Sequence, residues 1–237
     1  TDIDGNIYDT VEIGEQLWMA EGLKVTHFNN GEYITNATWE DVDSTAYVYY
    51  DGDEANIDNY GNLYNWHAVN DSRGLCPENW HVPSEEEWVT LFEHLGAEFD
   101  GQFYSIAGGK MKSMSDLWNS PNYGATNESG FSGEPGGVWF TGTNYGYAAD
   151  TGVFWSATEL NASYAIYYQL SKNNDSVERG TYWIKDYGMS VRCIQDEGGD
   201  GGDGGDDGGD DGGDSCAGNC CADGWADNDC DGYCDCC

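Results

Sequence analysis

The alternation of apolar and polar residues predicts short β-strands in the first part of the chain. Residues 6–20, "NIYDTVEIGEQLWMA", alternate on both sides of a Gly-Glu pair, which is typical of a β-hairpin. Residues 46–53, "AYVYYDGD", predict one further strand followed by a turn. Residues 59–69, "NYGNLYNWHAV", fit either a strand or a short helix.

The clearest helix is predicted over residues 83–96, "PSEEEWVTLFEHLG". Ser84 and Glu87 have the spacing of a capping box at its start, and Gly96 suits a left-handed end. One face is apolar because four large residues recur at helical spacing: Trp88, Leu91, Phe92 and Leu95. We assign that face to the core. His94 lies off the face, so we expect it at the surface.

Residues 107–150 are dominated by Gly, Asn, Ser and Tyr, which predicts long loops. We expect these loops to be packed because aromatic side chains anchor them: Trp118, Phe131, Trp139 and Phe140. Strand patterns then resume as an antiparallel run over three segments: 152–159, 163–171 and 179–196. The patterns together predict an α+β fold with antiparallel strands, one clear helix and long packed loops.

Beyond residue 197 the composition changes abruptly. Residues 198–214 contain only Gly and Asp, and residues 215–237 hold seven of the nine cysteines. A Gly/Asp segment has no side chain to bury and repels itself, so we expect an extended linker. We therefore divide the chain into a domain over 1–197, a linker over 198–214 and a cysteine-rich tail over 215–237.

The net charge of −36, from 44 acidic and 8 basic residues, limits the possible partners. Such a charge repels nucleic acid and offers an anionic membrane surface no attraction. Massed carboxylates favour hard cations, and calcium is the usual choice outside cells.

The sharpest metal motif is "DNDCDGYCD" (227–235) in the tail. It places carboxylates at alternate positions before Gly232 and at the ninth position: Asp227, Asp229, Asp231 and Asp235. Alternating carboxylates can wrap one ion while a glycine makes the sharp turn, as in EF-hand loops. We predict a calcium site here. The alternative is a disulfide knot whose aspartates face water.

The cysteines indicate an oxidising compartment. A short segment with so many cysteines and so little apolar content folds only if disulfides or metal hold it. A zinc cluster is the alternative, but no histidine accompanies the tail and its spacings do not match a two-pair zinc ribbon. No apolar run reaches the length of a membrane span, and no signal peptide is present. We expect this sequence to be the mature form of an exported protein.

Several separate motifs resemble the Fibrobacter succinogenes major paralogous domain family. They occur in the expected order, with Gly22 where Asn is common in the first: 2–23, 76–88, 121–137, 154–159 and 187–196. The resemblance covers about residues 1–197. It implies a surface or secreted protein with a fold similar to C-type lectins and formylglycine-generating enzymes. It also implies a disulfide between Cys76 and Cys193.

Neither activity of those fold relatives transfers to this chain. The formylglycine enzymes need a reactive cysteine pair, whereas the resemblance places Cys76 and Cys193 in a disulfide. Sugar-binding C-type lectins carry Glu-Pro-Asn or Gln-Pro-Asp at their calcium site. In "EPGG" (134–137), Glu134 lacks the amide partner that would chelate sugar hydroxyls with it. Fold alone implies no function, and the sequence contains no zincin helix, phosphate loop or Gly-x-Ser-x-Gly motif. We therefore expect no enzymatic activity.

The expected function is that of an exported structural or adhesive surface protein. Seven tail cysteines cannot all pair internally, so one is left for a free thiol or a bridge between chains. A globular domain with an extended arm and a stapled tip suits head-to-tail contacts, which generate filaments. The expected partner is therefore another copy of the chain. The alternative is a calcium-dependent glycan-binding module, since the 10 Trp and 17 Tyr residues either fill the core, which we favour, or stack on sugars.

Overall fold

The computed structural model describes residues 1–37, 44–141 and 144–197, all within one compact unit, Thr1–Gly199. Its helices are α1 (Ile57–Tyr60), α2 (Trp66–Val69), α3 (Glu85–His94) and α4 (Ala107–Met111). Its strands are β1 (Thr10–Ile13), β2 (Gln16–Met19), β3 (Thr35–Asn36), β4 (Ala46–Val48), β5 (Leu63–Tyr64), β6 (Trp80–His81), β7 (Phe103–Tyr104), β8 (Val138–Phe140), β9 (Asn144–Gly146), β10 (Thr151–Glu159), β11 (Ala165–Ser171), β12 (Val177–Gly180) and β13 (Ile194–Gln195). The fold is mixed α+β. The predicted linker and tail lie outside the described residues.

The described strands form four small sheets. Their orders are β1-β2-β13-β6, β10-β11-β12-β7, β3-β4-β5 and β8-β9. The first sheet brings the two ends of the domain together, because β13 pairs with β2 through Ile194 and Trp18. The prediction of antiparallel strands needs one correction, since β3 and β4 pair in parallel.

Local sequence signals account for the hairpin β1-β2 and for helix α3. Gly14 turns the hairpin at φ +66°, a conformation that glycine adopts without strain. In α3 the Ser84 hydroxyl accepts from the Glu87 amide while the Glu87 side chain accepts from the Ser84 amide, so the capping box is confirmed. The predicted apolar face is buried, and His94 is exposed.

Two sequence predictions were wrong in detail. Residues 107–150 are not loops throughout, because they contain α4 and the hairpin β8-β9. Helix α4 has an unusual glycine pair, and the packing explains it: a side chain at Gly108 would lie 2.2 Å from the backbone oxygen of Ser176. The segment 179–196 is not one strand. After Gly180 it leaves its sheet and hydrogen-bonds in turn to several other segments of the domain.

The aromatic residues fill most of the core, in two main clusters. Around helix α3, Trp18, Trp88 and Phe131 are fully buried and in mutual ring contact. The other cluster contains Trp155, Tyr64 and the sulfur atoms of Cys76 and Cys193. A loop-rich domain with few aliphatic residues needs such large rings to bury enough apolar surface.

A buried lysine holds the polar loops of residues 107–137. The Lys112 ammonium donates to the backbone oxygens of Tyr123, Ser171 and Asn174 at 2.7–2.8 Å. Burial lowers the pKa of Lys112 to about 8. Each of its three protons meets a backbone carbonyl, so the buried ammonium is fully hydrogen-bonded and joins this glycine-rich stretch to residues 171–174.

A disulfide joins Cys76 to Cys193, the pair that the family resemblance implies. The S–S distance is 2.03 Å, and the two residues are separated by 117 positions in the sequence. Both cysteines are buried. The bond therefore ties the segment before β6 to the segment before β13, the last strand among the described residues.

Candidate functional site

The predicted calcium ligands Asp227, Asp229, Asp231 and Asp235 lie outside the described residues, so that site stays a prediction. Within residues 1–37, 44–141 and 144–197, no group of three or more His, Cys, Asp or Glu side chains is arranged to hold a metal ion. The described domain instead offers two other features, a polar cavity and an exposed aromatic cluster.

The polar cavity has a volume of about 290 Å³. Residues from both ends of the domain and from α1 line it, among them Glu21, Lys24, Asp58, Glu134 and Arg192. Gly22 allows α1 to close one wall, because a side chain at this position would lie 2.4 Å from the backbone oxygen of Tyr60. The Asn that is common here in the resembling family would therefore require that wall to move.

Arg192 forms the floor of the cavity and is 1% exposed. Its guanidinium donates to the backbone oxygens of Met19, Phe131 and Ser132 at 2.8–2.9 Å. It also lies 4.5 Å from the centre of the Phe131 ring. Burial lowers the pKa of Arg192 to about 9, which still leaves it charged at neutral pH. Arg192 therefore joins the hairpin β1-β2 to the loop that contains Phe131.

The carboxylates of the cavity are partly occupied by other groups. Glu21 pairs with Lys24 at 2.7 Å, and Lys24 and the Asp9 amide hold the pKa of Glu21 below its usual value despite partial burial. Glu134 accepts from the Ser115 hydroxyl at 2.7 Å. Asp9 and Asp58 are exposed at the rim. Four carboxylates against two cations disfavour an anionic ligand.

Three of the histidines contact carboxylate side chains through their ring nitrogens. His67 contacts Asp186 at 2.8 Å through Nε2. His27 meets both Thr26 and Asp4 through the same atom, Nδ1, so it cannot relay a proton between them. The two nitrogens of His81 contact Glu87 and Asp196. Because both ring nitrogens of His81 are engaged, His81 suits structural pairing better than general base catalysis.

The contacts of His81 with Glu87 and Asp196, called the His81 clamp below, predict that the stability of the domain depends on pH. Hydrogen bonding to Glu87, followed by that to Asp196, raises the pKa of His81 to about 9. The stabilisation that corresponds to this raised pKa is fully present at pH values below about 6.5, the pKa of histidine in the unfolded chain. It is lost as the pH rises through about 9. In chemical denaturation from pH 6 to 10, we expect the stability difference between the wild type and His81→Gln to shrink steadily.

That difference is the informative quantity, because Lys112 titrates in the same range with the opposite effect on stability. The exposed His94 supplies a matched control. His94→Gln, a substitution at an exposed position, is expected to leave the stability close to that of the wild type. A wild type and His81→Gln that differ equally at pH 6 and pH 10 would contradict the clamp.

The second feature, the aromatic cluster, consists of Tyr147, Tyr182 and Trp183. Tyr147 and Tyr182 are each 55% exposed, and Trp183 is half-buried. Trp183 stacks on the fully buried Tyr167, with ring centres 4.8 Å apart and planes 7° apart. Tyr147 lies almost parallel to Trp183, at 6.2 Å and 16°. Stacking on a buried ring fixes the orientation of the exposed ones.

Sequence reasoning missed both features. The signal for Arg192 was present, because a cation stands between Val191 and Cys193 in an apolar segment, where only a buried, hydrogen-bonded role is stable. No local signal separates the exposed Tyr147 from the many buried tyrosines. Glu134, which the sequence analysis considered for a lectin-like site, lines the cavity without an amide partner from its own motif.

Comparison with known proteins gives one family. The family model described as Fibrobacter succinogenes major domain matches residues 11–195. No curated protein and no solved structure matches the chain. The matched range contains Arg192, both disulfide cysteines and the aromatic cluster.

Proposed function

The chain belongs to the Fibrobacter succinogenes major domain family, and we propose that it is an exported, non-enzymatic structural or adhesive protein of the cell surface. The observation that carries the proposal is the buried disulfide between Cys76 and Cys193. Such bonds persist in oxidising compartments and are rare in the cytosol. The net charge of −36 adds support, since it suits an exposed protein that does not bind nucleic acid.

The fold proposed for the domain is C-type-lectin-like. The support is the resemblance itself, together with the combination of one long helix, small antiparallel sheets and long loops packed around aromatic side chains. No helix among the described residues is long and apolar enough to cross a membrane.

A binding role is favoured over a catalytic one. His81 holds a carboxylate with each ring nitrogen, and its raised pKa keeps it charged at neutral pH, so it is not available as a base. In the cavity, Glu21 and Glu134 are already engaged by Lys24 and Ser115.

The proposed assembly device is the segment after residue 197, which lies outside the described residues. Its sequence combines a Gly/Asp linker with seven cysteines, an odd number that leaves one for a bridge between chains. One such bridge joins two chains, and a filament additionally needs non-closing head-to-tail contacts between the arm of one copy and the domain of the next.

Deleting residues 198–237 is expected to abolish assembly and leave a folded monomer. The shortened protein is expected to fold because the disulfide and both aromatic core clusters lie before residue 198. Assembly is expected to be lost because the proposed connector is removed. Light scattering and electron microscopy of the full-length and shortened proteins check it. If the shortened protein forms the same assemblies as the full chain, the segment is not the connector.

A second candidate function is calcium-dependent glycan binding. The exposed aromatic cluster favours the glycan part of this candidate, because Tyr and Trp present both an apolar face and a polar group. The calcium part rests on the tail residues Asp227, Asp229, Asp231 and Asp235. Replacing Asp229 and Asp231 by Asn weakens calcium binding if these residues are ligands, since carboxylates bind calcium more tightly than amides.

A further inference from the structure

We propose that the aromatic cluster is a calcium-independent binding site for neutral saccharides. This inference rests on the proposed adhesive function and names its ligand class.

Tyr147 occupies a backbone conformation that tyrosine rarely adopts. Its φ angle is +64°, in the left-handed region that glycine and asparagine favour. Tyr147 begins a hydrogen-bonded turn, since its carbonyl accepts from the amides of Asp150 and Thr151 at 2.9–3.0 Å. Glycine would satisfy the same turn without strain. Backbone strain of this kind clusters at functional sites, which makes Tyr147 a candidate contact residue for a ligand.

The rings form a rigid surface. The stack from Tyr167 through Trp183 to Tyr147 holds three nearly parallel rings, the first fully buried and the last more than half exposed. Tyr182 stands at 79° to Trp183 and gives the surface a raised edge. A fixed ring loses little conformational entropy when a ligand binds to it.

One member of a half-exposed polar pair, Asp186, follows the cluster in the sequence. Asp186 and His67 form a pair at 2.8 Å, and their side chains are 36% and 37% exposed. Asp186 follows Trp183 closely in the chain and precedes Tyr187, whose ring is connected to Trp183 through Phe140. A partly exposed carboxylate can accept hydrogen bonds from the hydroxyl groups of a ligand.

These features together specify the chemistry of the ligand. Aromatic faces are electron-rich and attract the C–H groups of a pyranose ring, while a carboxylate accepts from its hydroxyls. The acidic chain repels anionic polysaccharides. A neutral saccharide satisfies both the apolar and the polar surface. Calcium is not required, because none of these contacts uses a metal.

Affinity electrophoresis of the full-length protein tests the proposal, with gels that contain soluble β-glucan, xylan or mannan. We expect retardation by at least one of these polysaccharides, unchanged by EDTA. Trp183→Ala and Tyr147→Gly are each expected to weaken that binding by about tenfold or more, the order of loss for one aromatic stacking contact. Tyr147→Gly also relieves the backbone strain, so its melting temperature is expected to stay close to that of the wild type.

Tyr123→Ala is the matched control, because Tyr123 is 58% exposed but lies outside the cluster, and it is expected to bind as the wild type does. Absence of retardation in all three gels, or binding that Tyr147→Gly leaves unchanged, would overturn the proposal. Binding that EDTA abolishes would assign the glycan to a metal site instead. Binding of a proline-rich peptide, but of no polysaccharide, by the same rings would also overturn it. Assembly through residues 198–237 is measured separately, so either proposal can fail alone.

Discussion

Replacing Arg192 by Met is expected to lower the free energy of unfolding by about 3–5 kcal/mol, since each buried polar group left without a partner costs about 1–3 kcal/mol. Methionine keeps an apolar contact with the rings of Phe131 and Phe154. The carbonyls of Met19, Phe131 and Ser132 lose their donor. Water from the adjacent cavity can reach some of them, so the loss stays below the full sum.

Urea denaturation checks this prediction, and a second arginine supplies the control. Arg179 pairs with Glu85 at 2.5 Å, and both side chains are 24% exposed, so water can replace part of this interaction when Arg179 is removed. Arg179→Met is therefore expected to have a small effect. Arg192→Lys is expected to recover part of the loss, because one ammonium cannot reproduce the planar guanidinium fork. Equal losses for Arg192→Met and Arg179→Met would show that Arg192 does not hold the domain together.

Replacing both Cys76 and Cys193 by Ala is expected to lower the free energy of unfolding by about 4–5 kcal/mol in the chain-entropy model. The bond closes a separation of 117 residues, so its removal greatly increases the conformational freedom of the unfolded chain. Changing both residues avoids a free buried thiol. Denaturation of the wild type and the double variant under non-reducing conditions measures the difference.

A reductant provides the internal control for the disulfide. Reduction is expected to lower the stability of the wild type towards that of the double variant, and to leave the domain of the double variant unchanged. If the free energies of unfolding of the double variant and the oxidised wild type differ by less than about 1 kcal/mol, the unfolded chain is already constrained in another way.

Local signals explain which parts of the fold could be predicted. Helix α3 carries its capping box, acidic first turn and apolar face within a few residues of sequence. The hairpin β1-β2 carries its alternation and its turn glycine in the same way. In these segments the residues that stabilise the element are neighbours in the chain, so the sequence alone is sufficient.

Contacts between distant segments explain what could not be predicted. The three acceptors of Lys112 lie 11, 59 and 62 positions away from it, and two of the acceptors of Arg192 are 173 and 61 positions away. Helix α4 depends on the close approach of Gly108 to Ser176. The exposure of Tyr147 depends on a turn fixed by Thr151 and on stacking with Trp183. None of these partners leaves a periodic pattern in the sequence.

Export of a disulfide-closed domain is tested most directly by mapping thiols in the native host. The cells are fractionated with an alkylating reagent present from lysis onwards, and the protein is digested without reduction for mass spectrometry. We expect the protein in the surface or extracellular fraction, with the Cys76 and Cys193 peptides linked to each other. Recovery from the cytoplasmic fraction with both cysteines alkylated would contradict export and the function proposed from it.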